Sequence, residues 1–181
     1  MRKTANFDTY WGPGWPKLKV LEPYFLGGKE KRWVFKTDSD DASLNAQGAD
    51  GTEHLEESEG RVDVDFFIVG HPNLGVLLMH KKYRWGGGLK DSYVSKGNLT
   101  CLDRYYRDSS GSLLAIGLFI PFEDAWKAVK EFIETDGALP KSIDWIADRD
   151  LPPDTFPDQS PSVARHYLSR VVLEYRRSSR T

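Results

Sequence analysis

Residues 120–145, IPFEDAWKAVKEFIETDGALPKSIDW, carry the clearest structural signal in the chain. Pro121 suits the first turn of a helix, where its missing N–H has no intrahelical partner to lose. Apolar residues then recur at helical spacing and form one stripe. Gly137 is typical of a helix end, because glycine readily adopts the left-handed conformation. The pattern predicts a helix over about 121–135, followed by a short strand at the end of the stretch.

Apolar alternation on both sides of this helix predicts a sheet for it to cover. The predicted strands are 19–26, 31–36, 62–67, 75–85, 90–96, 99–107 and 112–120. Short turns between the last five favour an antiparallel meander. We therefore expect an α+β fold, with an antiparallel sheet of about five to seven strands packed by the main helix and a C-terminal helix at about 161–176.

The two ends of the chain predict loops around a single domain that spans residues 1–181. Residues 1–17 contain the turn-like sequence WGPGWP, and we expect its tryptophans, Trp11 and Trp15, to lie over the edge of the core. A second loop, rich in proline, is predicted at 148–161.

Residues 37–60 differ in composition from the rest of the chain. They contain eight acidic residues, no Lys or Arg and few large aliphatic residues. Such a segment predicts a long, mobile acidic loop rather than part of a core. Two interpretations remain open, a solubilising insertion or a binding surface for a basic partner.

The overall composition excludes several classes of protein. Aromatic residues make up 13% of the chain and argue for a folded core, while a net charge of −2 gives no general case for binding nucleic acid or membranes. A single cysteine fits a reducing cytoplasm. The first residues lack the apolar run of a secretory signal, and no stretch approaches the ~20 apolar residues of a membrane span. We expect a cytoplasmic protein.

No catalytic motif is present, and no cofactor or metal is expected. Asp63 and Asp65 share one face of a predicted strand, and with a histidine they form the alternative hypothesis of a small metal-dependent hydrolase. Such a pair is more often a solvated sheet face. A generic protein-binding module is the third hypothesis.

The helix and its flanks resemble the first-described family of bacterial polymorphic-toxin immunity proteins. The resemblance covers about residues 60–147, while the acidic segment and the C-terminal part lie outside the pattern. Its residues are Pro121, the helix through Phe132, Asp136-Gly137, Pro140 and Trp145, with a weaker Gly86-Gly87-Gly88 feature upstream.

This resemblance implies an α+β inhibitor without catalytic activity that binds a cognate toxin, often a nucleic-acid deaminase or nuclease, and blocks its basic cleft. Acidic side chains are then the expected partner-binding groups, and exposed aromatic rings the expected anchors. The acidic candidates are Asp38, Asp40, Asp41, Asp50, Glu53, Glu56, Glu57 and Glu59, followed by Asp144, Asp148, Asp150 and Asp154. The aromatic candidates are Tyr83, Trp85, Tyr105 and Tyr106.

Overall fold

The computed structural model describes residues 1–157 and 171–174, apart from the side chains of Leu89 and of the last four residues. This part of the chain forms an α+β fold. Its strands are β1 (Arg2–Phe7), β2 (Tyr10–Pro13), β3 (Asp41–Gln47), β4 (Val62–His71), β5 (Gly75–Arg84), β6 (Gly88–Ser95), β7 (Tyr105–Arg107), β8 (Leu113–Ala115), β9 (Trp145–Ala147) and β10 (Val171–Glu174), and its helices are α1 (Leu18–Leu26) and α2 (Phe122–Glu134).

Seven strands form the main sheet, in the order β2-β1-β3-β4-β5-β6-β9. Every neighbouring pair in it is antiparallel. The predicted α+β class, sheet size and number of helices are confirmed, as is the meander through β4, β5 and β6. Tight turns join these strands, and antiparallel neighbours need only short connections.

Helix α2 confirms the helix predicted from residues 120–145. Its apolar stripe is buried on the first face of the main sheet, where the Phe132 ring stacks on Phe66 with the centroids 4.2 Å apart. The helix ends as predicted, because Gly137 takes a φ of 93° and its N–H donates to the Phe132 carbonyl at 2.8 Å. The following strand, β9, pairs with β6 at the edge of the sheet.

The N-terminal predictions are wrong in three places. Residues 1–17, predicted as a loop, contain the β1–β2 hairpin, and residues 19–26, predicted as a strand, form α1. Leu21 and Phe25 lie one helical turn apart and are fully buried, so the i, i+4 spacing outweighs the short-range alternation.

Residues 31–36, also predicted as a strand, form an irregular segment built around Trp33. This residue takes a φ of 52°, and its ring packs so closely on Gly70 that a Cβ there would lie 2.2 Å from the indole. Its Nε1–H donates to the Asp40 carbonyl at 2.7 Å. The inward-turned indole and the left-handed backbone prevent a regular strand here.

Part of the acidic segment is also different from the prediction, because β3 lies between β1 and β4 in the main sheet. Ala42, Leu44 and Ala46 point into the core and are at most 3% exposed. Small apolar residues at every second position are enough for an internal strand when its neighbours supply the bulk. The high acidic content of the segment hid this alternation.

Strands β7 and β8 do not extend the meander as predicted. They form a second sheet, in the order β10-β7-β8, whose apolar side chains pack with Val69, Leu77 and Val94 at one end of the second face of the main sheet. The predicted strand 99–107 is shortened because Leu99–Cys101 forms a 3₁₀ turn, with Asn98 accepting a hydrogen bond from Thr100 N–H.

The predicted C-terminal helix, 161–176, lies mostly outside the described residues. The four described residues in that range form β10, which pairs in parallel with β7. The predicted proline-rich loop begins with two short 3₁₀ turns, Asp148–Asp150 and Pro153–Thr155. Neither described helix is long and apolar enough to cross a membrane.

Candidate functional site

Many of the predicted partner-binding residues meet at one end of the main sheet. This is the end where β3 stops, β4 begins and β5 stops, so the connection between Gly48 and Arg61 lies beside Trp85. We call the exposed carboxylates of this connection the acidic tip. They are Asp50, Glu53, Glu56, Glu57 and Glu59.

The connection that carries the acidic tip is fastened to β4 by backbone and side-chain hydrogen bonds. Ala49 N–H donates to the Val62 carbonyl at 2.8 Å, and Val62 N–H donates to Thr52 Oγ1 at 2.9 Å. Trp85 N–H donates to the Arg61 carbonyl at 3.0 Å, which fastens the end of β5 to the same connection. The predicted mobile loop is therefore a folded connection, since its polar backbone groups have partners within the protein.

A 3₁₀ turn at Glu57–Glu59 shapes the outer part of the tip. Glu56 and Glu59 form a capping box, in which each side chain accepts a hydrogen bond from the other residue's backbone N–H. Gly60 ends the turn with a φ of 85°. These carboxylates thus have defined positions although they are exposed.

Cations neutralise only part of the tip. Lys82 and Lys90 pair with Asp50 at 2.6 and 3.7 Å, and Arg61 pairs with Glu57 at 3.0 Å. Within residues 1–157 and 171–174, the remaining three carboxylates form no ion pair. Those three, which carry the uncompensated negative charge, are Glu53, Glu56 and Glu59.

Asp63 is the buried centre that joins the tip to the sheet. Its carboxylate accepts from Arg61 Nε and Nη2, both at 2.9 Å, from Trp85 Nε1 at 2.6 Å and from Gly48 N–H at 3.0 Å. Burial alone opposes its ionisation, but the hydrogen bonds from Arg61, Trp85 and Gly48 outweigh burial and hold its pKa below the usual range. Asp63 is therefore a structural anion.

This network presents an aromatic pair next to the acidic tip. Trp85 is 36% exposed, and its ring makes an edge-to-face contact with Tyr83 at 5.6 Å between centroids. Burial, aided by the charges of Asp65 and Asp63, raises the pKa of Tyr83 to about 12, so its hydroxyl stays protonated. A half-exposed tryptophan held by a buried carboxylate is a suitable anchor for a protein partner.

The Asp63 network predicts a specific dependence of stability on pH. Asp63→Asn should lower the free energy of unfolding by about 2 kcal/mol at pH 7, because charge-assisted hydrogen bonds are lost. Since the folded-state pKa of Asp63 is depressed, this loss should be full above the unfolded-state value near ~3.9 and should vanish as pH falls through the folded-state pKa. Urea unfolding from pH 2.5 to 7 measures it.

Asp65→Asn is the matched control, and its effect on the free energy of unfolding should have the opposite sign. Burial, followed by the charge of Asp63, raises the pKa of Asp65, so its ionised form destabilises the fold. That cost is absent below the unfolded-state value and appears as pH rises past it. Equal pH profiles for the two variants would contradict the assignment of Asp63 as the stabilising anion.

The structure separates three predicted acidic residues from the tip. Asp38 and Asp41 are exposed at the other end of β3, which places them roughly 20 Å from Gln47 at the tip end. Asp40 is only 4% exposed, and its carboxylate accepts from the Tyr106 hydroxyl and from Ser109 N–H. Its prediction as a partner-binding residue is wrong, because it fastens the second sheet to the main sheet.

The second acidic group is also dispersed. Asp144 is exposed and lines an open cleft of about 910 Å³ beside the start of α2, together with Lys96 and Lys141. Asp148 is half-buried and accepts a hydrogen bond from Ser92, while Asp150 is exposed. These residues do not form a continuous acidic surface, because lysines interrupt it and Asp148 is used inside the fold.

Two aromatic candidates are excluded by burial. Tyr105 and Tyr106 are 1% and 0% exposed and pack in the core between the two sheets. Of the four aromatic candidates, Trp85 is the most exposed, and its part-exposed side chain can serve as an anchor. Alternation along a strand predicts one buried and one exposed residue in each neighbouring pair. It therefore could not predict that Tyr105 and Tyr106 are both buried in β7.

The metal-dependent alternative does not fit the site. Both carboxylate oxygens of Asp63 are occupied by Arg61, and Trp85 shares one of them. In residues 1–157 and 171–174, no group of three or more His, Cys, Asp or Glu side chains could hold a metal ion.

Sequence reasoning missed two features of the surface. Arg61, directly after the acidic segment, determines where Glu57 and Asp63 lie. Trp11 was expected over the core edge but is 83% exposed, whereas Trp15 does pack on Phe132.

The acidic tip lies beside a part-exposed tryptophan, Trp85, and aromatic residues are enriched where proteins bind one another. The family model described as Immunity protein Imm1 matches residues 30–147. This match covers more than half of the 181 residues, and the chain therefore belongs to the Imm1 family of immunity proteins. No curated protein and no solved structure matches the chain.

The match confirms the immunity-protein family predicted from the helix and its flanks. It also extends further than predicted, because it begins at residue 30 and includes the acidic segment. The acidic tip is thus part of the matched region, whereas β1, β2 and α1 precede it.

Proposed function

We propose that this protein binds a cognate toxin domain that acts on nucleic acid, and that it neutralises the toxin by covering its basic cleft with the acidic tip and Trp85. The protein does so without catalysing a reaction. Membership of the immunity-protein family supports toxin binding, and the chemistry of the tip supports a basic partner.

The observation that carries this proposal is the preformed acidic tip. Glu53, Glu56 and Glu59 project from a connection that is already hydrogen-bonded to β4 in the free protein. Binding through a folded surface avoids most of the entropy cost of ordering a loop. A tip of this kind supports fast and tight association.

Charge explains why a nucleic-acid-acting toxin is the preferred partner. A deaminase or nuclease needs a positive cleft for the phosphate backbone. Carboxylates at fixed positions are attracted to that cleft over about a Debye length, near 10 Å at 0.1 M salt. Trp85 lies beside the same surface and supplies apolar contact after the encounter.

The experiment that tests this function uses the toxin that the proposal expects to be encoded beside the gene for this chain. Its C-terminal domain is expressed from an inducible promoter in cells with and without this protein, and growth is measured. The expected result is rescue of growth together with a stable complex on size-exclusion chromatography. Absence of both would overturn the proposed immunity function.

A second measurement tests the chemistry of the toxin separately. Genomic DNA and total RNA from intoxicated cells are sequenced and run on gels. Base substitutions indicate a deaminase, and degradation indicates a nuclease. A neutralised toxin that leaves both nucleic acids intact would reject a nucleic-acid-acting partner while leaving the immunity function in place.

A further inference from the structure

The second face of the main sheet carries a surface that the acidic tip does not include. Within residues 1–157 and 171–174, helices α1 and α2 cover the first face, and the second sheet covers only the end of the second face near Val69 and Leu77. Between that end and the tip lies what we call the open face. Its principal side chains are Trp11, Asn6, Asn45, Asp65, Phe67 and Tyr83.

Strand register places these side chains in adjacent rows. Trp11 pairs with Asn6 across β2 and β1, and Asn45 pairs with Asp65 across β3 and β4. Directly paired residues project to the same face of a sheet, and residues two apart on a strand do so as well. The row of Asp65 is therefore next to the row that contains Tyr83.

Trp11 dominates one side of the open face. It is 83% exposed, and it borders a groove of about 660 Å³ whose walls include Asn6 and Asn45. Arg2 is the charged residue in the lining of this groove, and the other polar residues that line it are neutral. An exposed tryptophan among mainly neutral groups has the composition of an interface core. The β1–β2 hairpin that carries it lies outside the matched range 30–147.

Asp65 is the charged group on the other side. It is half-buried and interacts with the Tyr83 hydroxyl, a neutral partner. Lys81, its cross-strand neighbour, attracts Asp65 electrostatically and opposes the rise of its pKa, but the Lys81 ammonium lies over the Phe67 ring at 5.7 Å, and no described residue forms an ion pair with Asp65. A basic side chain of a partner that makes a direct ion pair stabilises such a partly desolvated carboxylate further.

The open face is continuous with the acidic tip. Tyr83 belongs to the open face and contacts Trp85 at the tip, with the ring centroids 5.6 Å apart. From β2 to β5 the open face measures roughly 19 by 14 Å, from strand and residue spacings. This is well below the ~800 Å² that each protein contributes to a standard interface, so a partner seated here also covers the tip.

We propose that the open face is the second half of the toxin-binding surface, with Trp11 as its aromatic anchor and Asp65 as the group that receives a basic side chain of the toxin. This inference rests on the proposed function. It assigns recognition of the particular toxin to the N-terminal hairpin, and it assigns electrostatic attraction to the acidic tip.

The test is the affinity of two variants for the purified C-terminal domain of the adjacent toxin. Trp11→Ala and Asp65→Asn should each raise the Kd about tenfold, as expected for residues inside an interface. The matched controls are Val20→Ala, an exposed apolar residue on α1, and Asp103→Asn, an exposed carboxylate outside the open face. Both controls should stay within about twofold.

Hydrogen exchange in the wild-type protein and the stability of the Asp65→Asn variant distinguish weaker binding from a loss of folded protein. Toxin binding should protect the backbone amides of residues 2–13 in the wild-type protein, while Asp65→Asn should be at least as stable as wild type at pH 7 yet bind more weakly. Unchanged affinity of Trp11→Ala without protection of the hairpin would overturn this inference alone. Absence of any wild-type binding would overturn the proposed function as well.

Discussion

Replacing Glu53, Glu56 and Glu59 together by glutamine should slow association with the toxin domain about 30-fold at low ionic strength. These are the tip carboxylates without an ion pair to another described residue, so their charges are the ones available to attract a basic cleft. Glutamine can still accept the hydrogen bonds of the capping box. The salt dependence of the association rate should flatten in the same variant. Stopped-flow fluorescence between 20 and about 300 mM salt measures both quantities.

The control has the same change in net charge elsewhere. Glu22, Glu30 and Glu134 are exposed on the helical side of the protein. Their replacement by glutamine should change the association rate less than about threefold, since they lie away from the proposed surface. Equal slowing in the two triple variants would mean that only net charge matters, and the acidic tip would lose its assigned role.

Replacing Phe132 by alanine should lower the free energy of unfolding by about 3–5 kcal/mol. The ring is fully buried, and its centroid lies 4.2 Å from that of Phe66 and 5.0 Å from that of Trp15. Its removal therefore leaves a cavity between α2 and the main sheet. A domain of this size has a total stability of roughly 5–15 kcal/mol, and much of it depends on this contact. Urea denaturation followed by tryptophan fluorescence and by circular dichroism measures the change.

Lys130→Ala is the control in the same helix. Lys130 is exposed, and its ion pair with Glu134 spans 3.8 Å at the surface, so its removal should change stability by less than about 0.5 kcal/mol. A loss below about 1 kcal/mol for Phe132→Ala would contradict the central position of α2 in the core. The two results together separate the packing of the helix from its intrinsic propensity.

The two large effects belong to different parts of the molecule. Phe132 holds the scaffold together and lies on the first face of the sheet, whereas the tip carboxylates project from one end of it. Variants at the tip should therefore weaken toxin binding with little change in stability. Variants in the core lower the concentration of folded protein, and they weaken protection by that route.

Local patterns predicted α2 and the β4–β5–β6 meander correctly. The apolar stripe of α2 extends over 13 residues, and turn residues bound each strand of the meander, so local and tertiary preferences agree in both cases. Local patterns did not predict α1 and β3. Residues 19–26 support both periodicities over a short length, and β3 consists of small apolar residues within an acidic segment. Packing against the rest of the core decided both.

The proposed binding surface shows the same division between what local sequence predicts and what tertiary packing decides. Composition indicated that residues 37–60 carry the acidic groups, and chain order placed Trp85 some distance away. Strand register brought the tip and Trp85 together, buried Asp40 and left Asp38 at the other end of β3. Register is determined by the pairing of whole strands, which no local window of sequence contains.

The stretch at residues 120–145 thus predicted, without any tertiary information, one helix with its end at Gly137, and it carried the resemblance to the immunity-protein family that the Imm1 match confirmed. Together with the predicted strands it also gave the α+β class. The helix cap and the apolar stripe are local properties, because they depend on residues within about five positions of one another. Only the tertiary structure decided which charges and rings face solvent together. Burial and strand pairing join residues that lie far apart in the chain, such as Asp63 with Trp85 and Asn6 with Ser43.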